Sequence, residues 1–226
     1  TRLIKTNTQL YQAELSKKES QIAFLQSQIN PHFLFNTFEC IKGIASAKGV
    51  SEIREMMDDL SRIFSYSVRE PDEVPLEQEF GILKAYIHIN VIRFGDRFSV
   101  RYEISEASSH CKVPKMILQP IVENAIFHGL EPLDRKGTLY IVSYVEKALT
   151  IVIEDDGVGF DPKALACGQA ELTDDGMGDF HHSNRIGIVN IDNRLKLKYG
   201  EAYGLSVFSR PGEGTRVVLK LPVRRG

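Results

Sequence analysis

Apolar residues recur at helical spacing through the first part of the chain, and the period then changes. From about Thr8 to Ser46 the pattern predicts one helix. Leu15, Ile22, Leu25 and Ile29 follow at steps of seven, three and four, the seam of a coiled coil. Beyond Pro31 the stripe becomes Leu34, Phe38, Ile41 and Ala45. The step from Ile29 to Leu34 is five, so the stripe changes phase across the proline. At about 100° per residue the later stripe lies opposite His32. Gly49 reads as a helix end. A second helix carries Ile53, Met56, Met57, Leu60, Ile63, Phe64 and Val68 on one face and stops before Pro71 and Pro75. Two such helices joined by a short connection form a hairpin with one apolar face and little to cover it. Pairing of two hairpins into a dimeric four-helix bundle is the economical solution.

A third helix is expected over Leu76 to Phe94, with Leu76, Phe80, Leu83, Ile87, Val91 and Phe94 inward. From there strands appear. "RFSVRYEI" alternates, "GTLYIVSYVE" and "LTIVIEDD" form a strand pair, and "GLSVFSR" and "GTRVVLKLPV" are strands joined by "PGEG". Between them "VPKMILQPIVENAIFHGL" reads as a helix, with Pro114 at its start and Gly129 near its end, and "IGIVNIDNRLKLKYG" as another. The polar stretch from about Phe160 to Arg185 has no period. Antiparallel hairpins without strict strand–helix alternation point to an α+β two-layer sandwich, a sheet covered on one face by helices. The expected domains are residues 1–95, a coiled-coil linker with the helical hairpin, and 96–226.

Composition narrows the classes. The 226 residues carry 28 basic and 30 acidic side chains, a net charge of −2, so no basic field marks a nucleic-acid partner. No apolar run approaches the roughly 18 residues that span a bilayer, and no signal peptide is evident. The opening "TRLIKTNTQL", without methionine, reads as a piece of a longer protein. Cys40, Cys111 and Cys167 fit no metal spacing and suggest a reducing compartment.

Candidate chemistry gathers in the second half at four places. "ENAIFHG" puts Asn124 and His128 four apart on one helix side. "DDGVGF" ends a strand at Asp155, with Gly157 and Gly159 behind it. "RIGIVN" spans Arg185 to Asn190 and includes Gly187. "PGEGT" ends at Thr215. A carboxylate at a strand end can accept the exocyclic amine of adenine, and glycines behind it let backbone approach a base and sugar. An amide oxygen on a neighbouring helix suits a magnesium ion that bridges phosphates and keeps its waters. A glycine at a helix start exposes N–H groups to phosphate. A long unpatterned loop in a compact domain is often a lid. Each piece alone is an ordinary turn, amide or hairpin; their order and spacing together single out a nucleotide site. No Walker loop is present.

These motifs resemble those of the LytS/YesM-like sensor histidine kinases. "LQSQINPHFLFNTFECI" resembles that family's phosphoacceptor box, "LQPIVENAIFHGL" its N box, "DDGVGF" and "IGIVNIDNRLKLKYG" its glycine boxes, and "PGEGTRVVLKLP" its last box. The resemblance implies a dimerisation and histidine-phosphotransfer hairpin followed by a Bergerat-type ATPase domain. It implies autophosphorylation of His32 from Mg-ATP, a homodimer, and a response regulator receiver domain as partner. It also implies a cytoplasmic fragment of a cell-membrane sensor, joined to the membrane only through an upstream segment. By motif, Asn124 would bind Mg2+, Asp155 the adenine, and Gly157, Gly159 and Gly187 would shape the pocket and lid hinge. Thr215 would line its base end, and His128 would stand near the phosphates.

Three departures from the family pattern stand out. Arg185 takes the place of the first glycine in the second glycine box. The lid holds the pair His181 and His182 and the acidic "TDDGMGD". Pro120 stands where hydrolytic relatives of the superfamily place a water-activating glutamate, which favours transfer over hydrolysis. Phe33 follows His32 where many kinases have an acidic base, so the proton acceptor is open. Asn36, one turn on, is a candidate to orient a water that dephosphorylates the regulator. Two other readings share parts of this pattern: a nucleotide-binding pseudokinase, kept in view by Arg185, and an anti-sigma-type serine kinase, which needs neither the hairpin nor His32.

Overall fold

The computed structural model describes residues 31–161 and 178–225, with the side chains of Asp96 and of residues 178–186 outside the description. The seam expected at Leu15, Ile22, Leu25 and Ile29, the phase change across Pro31, and most of the loop after Phe160 lie outside the described residues. The chain divides into two compact units, Thr1–Met57 and Asp58–Gly226.

In the first unit, α1 spans Pro31–Ala47. His32 on it is exposed, Leu34 and Phe38 are half-buried and Ala45 is buried. Gly49 adopts φ 70°, and Val50 donates its N–H to Ala45 O at 3.0 Å, a left-handed helix stop that favours glycine. Helix α2, Ser51–Arg69, begins in this unit and from Asp58 onward belongs to the second.

In the second unit the chain runs β1 (Glu73–Pro75), α3 (Leu76–Phe94), β2 (Phe98–Ile104), the short α4 (Glu106–Ser109), β3 (Lys112–Pro114) and α5 (Gln119–Asn124). A π-helical turn, Ala125–Leu130, continues α5. Then come β4 (Gly137–Val145), β5 (Leu149–Asp155), α6 (Gly178–Tyr199), β6 (Gly204–Arg210) and β7 (Gly214–Leu221). A five-stranded sheet has the order β2-β4-β5-β7-β6. The expected hairpins β4–β5 and β6–β7 are antiparallel, as is β5–β7. The outer strand β2 is parallel to β4, since the chain crosses over through α4, β3 and α5 before returning.

Alternation along each strand sends one set of side chains inward. Leu139 and Ile141 on β4, Leu149, Ile151 and Ile153 on β5, and Val217, Leu219 and Leu221 on β7 are buried. They pack with Ile121, Val122 and Ile126 from α5 and its continuation, and with Ile191 and Leu195 from α6. The inward residues expected on α3 are buried or half-buried throughout.

Two expected elements are different. Helix α6 begins at Gly178, within the stretch expected to be an unpatterned loop, so Gly187 is not at a helix start. "VPKMIL" does not open a helix: Lys112–Pro114 pairs with β1 as a small antiparallel ladder, and the helix begins only at Gln119. Met116 has φ 61°. The cause is Glu79, from the first turn of α3. Its buried carboxylate accepts N–H bonds from Met116 (3.0 Å), Ile117 (2.8 Å) and Leu118 (3.1 Å), and so holds that segment as a concave row of donors.

Candidate functional site

Asp155 is the last inward residue of β5. The same alternation that buries Leu149, Ile151 and Ile153 puts its carboxyl on the core side of the sheet, where it is only 4% exposed. Its Oδ1 accepts from Gly157 N at 3.0 Å. Burial raises its pKa from 3.8 to about 7, with Asp156 and Glu154 adding to the rise and the N–H groups of Gly157 and Thr215 opposing it. A buried carboxyl met by two backbone N–H groups retains acceptor capacity for a ligand's donors.

The backbone closes in around this carboxyl because three positions have no side chain. A Cβ at Gly129 would stand 2.5 Å from Asp155 Oδ1, and one at Gly157 would collide with the carbonyl of Gly129. Gly159 turns with φ 59° against the carbonyl of Arg210. Val158 N donates to Gly129 O (3.0 Å) and Gly212 N to Val158 O (2.6 Å), tying the strand end to the π-helical turn and to the β6–β7 turn. Ser209 Oγ accepts from Phe160 N at 2.9 Å and lies 2.9 Å from Thr215 Oγ1.

The result is a cavity of about 350 Å³. Its walls are apolar, from Ile121, Ala125, Ile153, Val158, Ile188 and Val217, and its polar groups are Asn124, His128, Asp155 and Thr215. Apolar walls with one buried carboxyl among them suit a planar heteroaromatic base bearing an amine. Asn124 Nδ2, on the same cavity, donates to Pro120 O at 2.6 Å. That bond fixes the amide's orientation and leaves Oδ1, a hard oxygen donor of the kind magnesium takes. Among the described residues no group of three His, Cys, Asp or Glu side chains is placed to hold a metal. A magnesium ion here would therefore take most of its ligands from phosphate and water. The π-helical turn is pinned from outside, where Phe127 meets Phe94 edge-on at 5.7 Å and Arg93 lies over both rings.

The model of the histidine kinase family matches residues 20–98. That of the histidine kinase-, DNA gyrase B- and HSP90-like ATPases matches residues 112–225, just over half the chain. The chain belongs to the histidine kinases. It is 37% identical to the sensor histidine kinase YesM of Bacillus subtilis over 93% of its length, and 32% identical to the sensor histidine kinase YpdA of Escherichia coli over 100%. It spans 35% and 39% of those two relatives. A solved histidine kinase domain from Erythrobacter litoralis matches with a TM-score of 0.49 at 16% identity, covering 93% of this chain and 94% of that one. No described helix is long and apolar enough to cross a membrane.

The expected site residues fall into three groups. Asn124, His128, Asp155, Gly159 and Thr215 line one cavity, with Gly157 directly behind Asp155. His32 and Asn36 lie on α1 in the other unit, with Asn36 Nδ2 3.2 Å from His32 Nδ1. Gly187 lies inside α6, where a Cβ would meet, among the described residues, Pro120 Cβ at 3.9 Å. The side chains of Arg185, His181 and His182 lie outside the described residues. Sequence reasoning missed Ser209, Asp156 and the steric part played by Gly129. Asp156 Oδ1 accepts from Thr138 N at 2.7 Å, and its carboxylate meets Arg135 at 3.2 Å. Ser209 carried no signal, because a serine in a strand acquires its role only from partners across the sheet.

Proposed function

We propose that the chain is the phosphotransfer and catalytic portion of a sensor histidine kinase that moves the γ-phosphoryl group of Mg-ATP to His32. The observation that carries this reading is Asp155, a nearly inaccessible carboxyl lining a largely apolar cavity that Asn124 also lines. Adenine's amine donates to Asp155, and the phosphates extend past Asn124 and His128; Asn124 Oδ1 would hold a magnesium ion, which would supply charge neutralisation there. An imidazole nitrogen of His32 attacks the γ-phosphorus. As the N–P bond forms, the bond to the β,γ-bridging oxygen breaks and ADP leaves with the electron pair.

Asn36 supports the nucleophile. With its amide turned so that Oδ1 faces the ring, it accepts the Nδ1 proton and leaves the lone pair on Nε2. The same amide orients water when the phosphorylated regulator is dephosphorylated. Residues 1–95 supply the coil and phosphotransfer hairpin, and 96–226 the ATP-binding domain. The exposed apolar residues Ile41 (37%) and Ile44 (54%) of α1 are the surface a second copy covers in a homodimer. The phosphoryl group then passes to a response regulator receiver domain. The chain is the cytoplasmic part of a membrane sensor.

The test is incubation with labelled ATP and magnesium, followed by acid and base treatment. Label on the wild type that is lost in acid and survives base, and that is absent from His32→Gln, is the expected result. Label that persists in His32→Gln, or that survives acid, refutes the proposal.

A further inference from the structure

Glu79 is a charged side chain buried to 2% exposure outside the nucleotide cavity. Burial of a carboxylate is costly unless its oxygens are satisfied, and here both are. Oε1 accepts from Ile117 N and Leu118 N, at 2.8 and 3.1 Å. Oε2 accepts from Met116 N at 3.0 Å and from the hydroxyl of Tyr66. Three donors are backbone N–H groups at the start of the helix that carries Asn124 and His128. The fourth comes from the last turns of α2. Burial, and the Glu79 carboxylate next to it, push the Tyr66 phenol far up, so it remains a donor throughout the physiological range.

The neighbouring contacts join the same two elements. Lys115 Nζ donates to Ser67 O (3.2 Å) and Glu70 O (2.6 Å), satisfying carbonyls at the end of α2. Lys115 N donates to Asp72 O at 3.0 Å, and Arg194 of α6 reaches Lys115 O at 3.4 Å. Residues 115–118 therefore hold the end of α2 on one side and open the site helix on the other. A plain helix cap requires only the N–H bonds; the Tyr66 bond adds a tie to α2.

We propose that Glu79 is a positioning residue of the kinase, coupling the end of α2 to the start of the helix that presents Asn124. Asn124 lies six residues beyond Leu118, about 9 Å of helix, so a tilt at the carboxylate becomes a displacement at the phosphate end of the cavity. Movement of α2 is in this way transmitted to the geometry of phosphoryl transfer. The inference rests on the kinase reading above for its rate measurement, and on backbone exchange for an arm independent of that reading.

The test uses the chain as it stands, with Tyr66→Phe, Glu79→Gln and the double variant. Tyr66→Phe removes only the tie to α2 and keeps the packing. It is expected to hold the dissociation constant of a fluorescent ATP analogue within about twofold, while labelling of His32 slows roughly tenfold, the effect of one hydrogen bond to a charged group. Amide exchange at residues 116–118 should quicken. The double variant should be no slower than Glu79→Gln alone, because the two side chains act through one bond. An unchanged labelling rate in Tyr66→Phe overturns the proposal. So does a fall of rate, nucleotide affinity and melting temperature together, which marks a purely structural role. If the wild type itself takes no label on His32, the kinase reading fails. The exchange arm then decides alone: unchanged protection at 116–118 in Tyr66→Phe refutes the coupling, and quickened exchange supports it.

Discussion

Replacing Asp155 by asparagine should make the unliganded protein more stable while destroying its nucleotide site. The carboxyl is 4% exposed, and burial holds its pKa at about 7 against 3.8 for a free aspartate. At about 1.4 kcal/mol per pH unit, ionising it in the folded state costs roughly 4 kcal/mol. Because the folded value is raised, the folded protein retains this proton in a range where the unfolded chain has lost it. Stability is therefore fully present below pH 3.8 and falls as pH rises through about 7. Asparagine is spared that cost. Its oxygen still accepts from Gly157 N, but its amine lacks an acceptor, a penalty of about 1–3 kcal/mol. The net gain at pH 8 is about 1–3 kcal/mol, a rise of roughly 5 °C in melting temperature for a unit of this size. Urea titrations at pH 5 and pH 8, with and without Mg-ATP, check it. The stability difference between variant and wild type should widen in favour of the variant by roughly 3 kcal/mol from pH 5 to pH 8. Mg-ATP should stabilise the wild type alone. A difference that stays the same at both pH values, or a variant less stable at pH 8, refutes the account of Asp155 as a carboxyl whose burial outweighs its hydrogen bonds.

Gly129→Ala places a Cβ 2.5 Å from Asp155 Oδ1, so the carboxyl must swing away; affinity for an ATP analogue, read by fluorescence titration, should fall by more than roughly tenfold. Asn124→Ala removes the amide oxygen proposed to take magnesium: ATP binding measured in EDTA should be little changed, while the increment on adding magnesium should disappear. Asn36→Ala deletes the partner 3.2 Å from His32 Nδ1 and should slow labelling of His32 roughly tenfold, as measured by the initial rate at saturating ATP, without altering nucleotide affinity. The kinase reading itself stands or falls on the acid and base stability of label in the wild type and in His32→Gln.

Most of the strands and both hairpins are legible in the order of residues, because a period of two requires only neighbours in the chain. The inward position of Asp155 follows from the same period: count by two from Leu149 and a carboxylate falls on the core face. Glycine spacing at Gly157 and Gly159 likewise points to backbone crowding before any contact is known. The segment 113–118 reads as helix in sequence and is not one in the fold. Its residues are compatible with helix, but the carboxylate that captures its N–H groups comes from Glu79, some forty residues earlier. On α3 that glutamate looks like any other polar helix position, and nothing local distinguishes it.

The sequence by itself determined the periodic elements, the identity of the residues around the cavity and the chemistry they offer, since propensity, alternation and motif spacing are properties of local order. Only the tertiary structure decided which of those groups meet. Gly129 and Asp155, or Tyr66, Glu79 and Leu118, are distant in the chain and are brought together by the crossover between β2 and β4 and by the packing of α3. The raised pKa of Asp155 belongs to the same class, because burial depends on what the fold stacks over a residue and not on its neighbours in the chain.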